Sequence, residues 1–141
     1  MSEIPAVSYS REATLAKLLA LKERPRRETE TVHVPGIDAD LELRKLPLAE
    51  YMELDNRLAE TDAGSPEFIR ALAEKIYAFI PLLHEQQLQE AYDCRVPSDI
   101  VSKLLQDDLG DWTFLGAAIN RMYGLGREDG GGETPQQTVK N

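Results

Sequence analysis

The side chains able to do chemistry are few in this chain, and they are scattered. Its two histidines, His33 and His84, fall in different stretches, and its single cysteine, Cys94, has no histidine beside it. A metal centre needs several donors held at fixed spacing. Neither a C-x-x-C nor an H-E-x-x-H pattern occurs, so no metal is expected. Cys94 as a nucleophile would need a base and an anion-stabilising pocket. Only Arg95 stands ready to lower its pKa, and a small apolar residue in a connector is the simpler reading. One cysteine excludes an intrachain disulfide and suits a reducing compartment.

Carboxylates are more plentiful. Asp38, Asp40 and Glu42 start like a calcium loop, but that loop requires Gly at its sixth place and Glu at its twelfth. Leu43 and Ala49 occupy those places, so the pattern fails. Asp107, Asp108 and Asp111 bunch between two helical stretches, where helix ends and caps account for them. The rival reading is a hydrolase, which requires at least two of Asp107, Asp108, Asp111 and Glu85 to converge in a concave pocket with raised pKa values. Gly130-Gly131-Gly132 has no strand before it and no helix after it, so it reads as a flexible linker rather than a phosphate loop. Arg24, Arg26 and Arg27 are flanked by acidic residues and read as a solvated linker. Tyr77, Phe79 and Trp112 read as core. Neither catalysis nor a cofactor is expected.

The bulk properties agree with a binding protein. The chain has 141 residues, 42% hydrophobic and 29% charged, with a net charge of −9. That suits one domain with a real core. The acidity disfavours nucleic acid, whose recognition rests on clustered Lys and Arg. The opening MSEIPAVSYSREATL lacks a secretion signature, and no run approaches the ~20 apolar residues that span a bilayer. A soluble cytoplasmic protein, off the membrane, is expected.

The elements that must position these residues are legible from periodicity. Ser65-Pro66 starts a helix, and Ile69, Leu72, Ile76, Phe79 and Ile80 then recur at helical spacing until Pro81 interrupts. A second helical run from Leu82 to Ala91 follows, making Ser65–Tyr92 the packing spine. Residues 1–9 read as a loose arm. Ser10 caps a helix to about Lys22 carrying Leu15, Leu18 and Leu19 on one side; it either docks or serves as a detachable arm. Over 31–46 the period changes to two, with Val32, Val34, Leu41 and Leu43 on one face of a β-hairpin. Pro47 opens a helix to about Glu60 with Leu48, Tyr51, Leu54 and Leu58 inward and Glu50, Glu53, Asp55 and Arg57 toward water.

Pro97 or Ser98 starts a helix bearing Ile100, Val101, Leu104 and Leu105. Asp111 is the expected cap of the last helix, which carries Trp112, Leu115, Ile119 and Met122. Gly124 stops that helix and places Leu125 for an apolar contact. From Gly126 onward the chain reads as a disordered tail. The expected fold is mainly α (α+β): one domain over 10–125, with five to six helices and one hairpin near the N-terminus.

Three pieces of this sequence resemble the tail assembly chaperones of long-tailed bacteriophages, the XkdN-like family. They are VHVPGIDADLELRKLPLAEYMEL, a hairpin leading into a helix; IYAFIPLLHEQQLQEAY, the spine; and VPSDIVSKLL with INRMYG, leading to a polar tail ending VKN. Together they cover roughly residues 10–125. The resemblance implies a non-enzymatic assembly factor of phage or prophage tails. Such a factor coats and solubilises the tape-measure protein, helps tail-tube protein polymerise, and is absent from the finished virion. It would act in the host cytoplasm, with self-association left open. Leu15, Leu18, Leu19, Leu82 and Leu83 are the expected partner-binding residues. The alternative is a small adaptor or regulatory protein that binds another partner through its helical surface.

Overall fold

The computed structural model describes residues 8–24 and 28–126. Most of the proposed arm at 1–9, Arg26 and Arg27 of the basic linker, and the tail after Gly126 lie outside the described residues. The fold is mainly α, with six α-helices, two short 3-10 turns and one two-stranded hairpin among them. Among the described residues, no helix is long and apolar enough to cross a membrane.

The hairpin forms where the period of two placed it. β1 (Thr29–Val34) pairs antiparallel with β2 (Ala39–Arg44), from Thr29 opposite Arg44 to Val34 opposite Ala39. The strands begin two residues before the expected start, so the loop is only Pro35–Asp38. Asp38 closes it at φ 51°, a conformation that Asp tolerates better than most residues. Val32, Val34, Leu41 and Leu43 are all buried, while the alternate residues face out. A lone hairpin is marginal in water. This one lies on the last helix, α6 (Leu109–Met122), and on the turn after α3 (Pro66–Phe79).

The helix α3 (Pro66–Phe79) is the spine. The Ser65 side chain accepts from the Phe68 amide, and Pro66 sits at the first turn, where its missing N–H costs nothing. Leu72, Ala73, Ile76 and Phe79 are buried, and α2 (Leu48–Ala59), α5 (Asp99–Leu105) and α6 (Leu109–Met122) all pack on this helix. The second half of the spine differs from expectation. Ile80 adopts an extended backbone (φ −120°, ψ 94°), Pro81–His84 forms a single 3-10 turn, and Glu85 is extended again before the short α4 (Gln86–Ala91). No residue of α4 is buried. The ring of Pro81 denies the chain a continuous helix, and two extended residues redirect it across the core.

Three further expectations need correction. Leu48 is exposed, because α2 turns only Tyr51, Leu54 and Leu58 inward. Asp108, not Asp111, caps α6 by accepting from the Asp111 amide, and Asp111 lies inside the first turn with 3% of its surface exposed. Gly124 does terminate α6 in the left-handed region (φ 91°), with the Leu125 amide donating to the Asn120 carbonyl. Leu125 is nonetheless 53% exposed, so the expected apolar contact is not a buried one.

A polar network runs through the core where α2, α3 and α6 meet. The Lys75 ammonium, on a side chain only 2% exposed, donates to Asp55 Oδ1 at 2.9 Å and to Asn120 Oδ1 at 3.0 Å. The Tyr51 hydroxyl donates to the same Asn120 oxygen at 2.8 Å, and the Lys75 Nζ lies 5.2 Å from the centre of the Tyr51 ring. Asp55, with its side chain 46% exposed, therefore pairs with a core group while still meeting water. Tyr51 stacks on Tyr123 with ring centres 4.0 Å apart. The Tyr123 hydroxyl donates to the Leu46 carbonyl and accepts from the Leu46 amide, tying the end of α6 to the segment leaving the hairpin.

Candidate functional site

The apolar residues expected to meet a partner fall into two groups. Leu15, Leu18 and Leu19 on α1 (Arg11–Ala20) are exposed, and no residue of that helix is buried. Ser10 caps α1 by accepting from the Ala13 amide, so the helix is locally well started although it covers no core. Among the described residues nothing buries this helix, and its leucine face stands open. Leu82 is 54% exposed, but Leu83 is 2% exposed and belongs to the core. The 3-10 turn at Pro81–His84 rotates these neighbours to opposite sides. Leu83 is thus removed from the partner-binding set.

The scattered carboxylates behave differently from expectation. Asp107, Asp108 and Asp111 line one hollow of about 380 Å³, together with Gly36 and Ile37 of the hairpin loop and the end of α5. Glu85 is not part of it. Asp111 Oδ1 accepts from the Gly36 amide at 3.1 Å, whereas Asp111 Oδ2 is buried without a hydrogen-bond partner among the described residues. Gly36 is required by close approach: a Cβ there would lie 2.5 Å from Asp108 Oδ2 and nearer still to Asp111 Oδ2. Both oxygens therefore crowd the same point against the loop. The opposite wall is stiffened by Gln106, held at φ 52° with its carbonyl accepting from Trp112 Nε1 at 3.0 Å. The arrangement gathers three carboxylates beside the hairpin loop. Among the described residues, no group of three His, Cys, Asp or Glu side chains is placed to hold a metal ion.

A second hollow of about 350 Å³ lies between α2 and the end of α3, lined by residues that include Glu50, Glu53, Leu54, Arg57, Tyr77 and His84. His84 stacks on Tyr77 with ring centres 4.1 Å apart and places Nε2 2.9 Å from the Tyr77 carbonyl. His84 thus closes the break after α3 rather than facing a ligand. The Cys94 thiol is pushed up by burial, against a smaller lowering by Lys103, so its thiolate is disfavoured.

His33 sits exposed on the outer face of β1, between Asp40 at 2.7 Å and Asp38 at 3.2 Å. Its pKa is raised, chiefly by the hydrogen bond to Asp40. A raised pKa means the charged form is favoured in the folded state. This contribution is fully present below the unfolded value of about 6.5 and is lost as pH rises through the folded value. A His33→Gln variant should therefore melt below the native protein at about pH 5 and coincide with it at about pH 9. Equal melting differences at both pH values, read by circular dichroism, would remove the ion pairs as the cause.

The sequence missed Gly36 and Ile37 as walls of the carboxylate hollow. Pro35-Gly36 signals a turn, and nothing local says that the turn abuts α6. Comparison of the chain with protein-family models, with curated proteins and with solved structures found no match.

Proposed function

We propose that the protein is a tail assembly chaperone of the XkdN-like kind, which binds and solubilises a long helical tape-measure protein and assists tail-tube polymerisation. The observation that carries this reading is α1: a properly capped helix whose leucine face is exposed. An open leucine face is suited to an amphipathic helix laid against it, side by side. The net charge of −9 keeps a chaperone carrying such a face soluble. Leu82 adds a second exposed apolar point on the domain itself. The resemblance of the hairpin, spine and closing-helix sequences supports the same reading.

The test is co-expression with a phage tape-measure protein. Leu15→Ser/Leu18→Ser/Leu19→Ser should leave the melting temperature of the chaperone within about 2 °C of the native value, because these side chains are exposed. The same variant should lose co-purification of the tape-measure protein and its solubility. Native protein that neither co-purifies with nor solubilises that partner would overturn the reading. Equal capture by the triple variant would move the contact away from α1.

A further inference from the structure

We infer that two copies of this chain pair by exchange, the leucine face of α1 from each seating in the hollow between α2 and the end of α3 of the other. The floor of that hollow is apolar, from Leu46, Leu54, Tyr77 and Ala78, each only partly buried by its own chain. Glu50 and Glu53 stand exposed on its lining, and Arg57 beside them is already engaged by Glu74 at 3.0 Å. On α1, Arg11, Leu15, Leu18 and Leu19 fall at i, i+4, i+7 and i+8, so they share one face. Lys22 follows at i+11 in the 3-10 turn Leu21–Glu23 that extends the helix. An apolar stripe with a cation at each end thus meets an apolar floor edged by two carboxylates.

The distribution of charge names the occupant. Residues 8–24 hold four Lys or Arg and two Glu, a net +2, whereas residues 28–126 hold eight Lys or Arg and nineteen Asp or Glu, a net −11. A cationic arm on an anionic body finds its complement on the body of another copy. Screening over about 8 Å at physiological salt lets this local match outweigh the repulsion between two chains of net −9.

The chain's own α1 does not fill the hollow: no residue of α1 lines it, and none is buried. The Lys45 amide donates to the Glu28 carbonyl at 2.7 Å, so the connector from α1 joins the body beside Leu46, at the edge of the hollow. Only Pro25, Arg26 and Arg27 stand between Arg24 and Glu28. A short connector with a proline resists folding back and favours exchange between copies. With arm root and hollow adjacent, the two exchanged contacts lie about one two-fold axis, and the pair closes. No tape-measure protein takes part, so the pairing and the chaperone reading can fail separately.

The full chain alone is followed by sedimentation velocity up to about 500 µM. The expected result is a monomer–dimer equilibrium with a dissociation constant of roughly 50 µM, since two short helix contacts lie at the low end of specific interfaces. Arg11→Glu/Lys22→Glu should weaken the pair at least about tenfold, and so should Glu50→Lys/Glu53→Lys, because each sets like charges across both contacts. All four positions are exposed, so each variant should melt within about 3 °C of the native protein. Mixing the two variants sets opposite charges across both contacts again, and the mixture should return to within about threefold of native affinity. The pairing is overturned by a native chain that stays monomeric at about 500 µM, which would leave α1 to its own hollow or to another partner. It is equally overturned by native species larger than a dimer, by a dimer that neither variant weakens, or by a mixture that stays monomeric.

Discussion

Asp55→Ala should cost about 3 kcal/mol of folding stability, seen as a fall in melting temperature of roughly 10 °C. The reason is the partner it leaves behind. Lys75 is fixed on the buried face of α3 with 2% of its side chain exposed, while Asp55 is 46% exposed. Removing the carboxylate strands an ammonium that retains only the Asn120 oxygen and the face of Tyr51. Breaking a wholly buried pair in this way costs about 3–5 kcal/mol, and the half-exposed Asp55 places this site at the low end. The companion experiment separates charge from packing. Asp55→Leu combined with Lys75→Met removes both charges and keeps apolar volume, so it should return close to native stability. A single Asp55→Ala variant that melts within about 2 °C of the native protein would mean that Lys75 reaches water by another path.

Gly36→Ala should cost about 2–3 kcal/mol, read as a lower urea midpoint with an unchanged slope. The added methyl group would meet Asp111 Oδ2, Asp108 Oδ2 and Asp111 Cγ, the last at 2.8 Å. Neither carboxylate yields easily: Asp108 accepts from the Asp111 amide as the cap of α6, and Asp111 is buried. The loop must therefore lift from α6, losing the bond between the Gly36 amide and Asp111. Gly116→Ala is the matched control. A Cβ there finds only Leu72 Cδ1 at 3.8 Å, an ordinary contact, and the residue lies within α6. Exchange of glycine for alanine inside a helix should stabilise by about 0.5–1 kcal/mol. If both substitutions stabilise, the hairpin is not seated on α6 as described.

These two sites share a property that bears on function. The Lys75 network and the Gly36–Asp111 contact fasten α2 and the hairpin to one rigid unit around α3 and α6. Against that unit α1 is a separate element with no buried residue. A partner that engaged α1 would therefore leave the core undisturbed.

The sequence by itself determined where the hairpin and most of the helices lie and which strand face turns inward. Ser10 and Ser65 announce helix starts because a hydroxyl oxygen beside free amides is a local interaction, complete within three residues. Val32, Val34, Leu41 and Leu43 announce a one-sided hairpin because the strand period is two. The stop at Gly124 is equally local. Only the tertiary structure decided that Asp55 faces Lys75, that Leu83 is core while Leu82 is open, and that α1 has no buried residue. It also decided that Asp108 takes the cap while Asp111 is buried against Gly36. The physical reason is distance along the chain. Caps and periods rest on groups three or four residues apart, but the contacts of Asp111 with Gly36 and of Tyr123 with Leu46 join residues 75 and 77 positions apart. Such pairings are set by how whole helices and the hairpin pack together, and no short stretch of sequence carries that information.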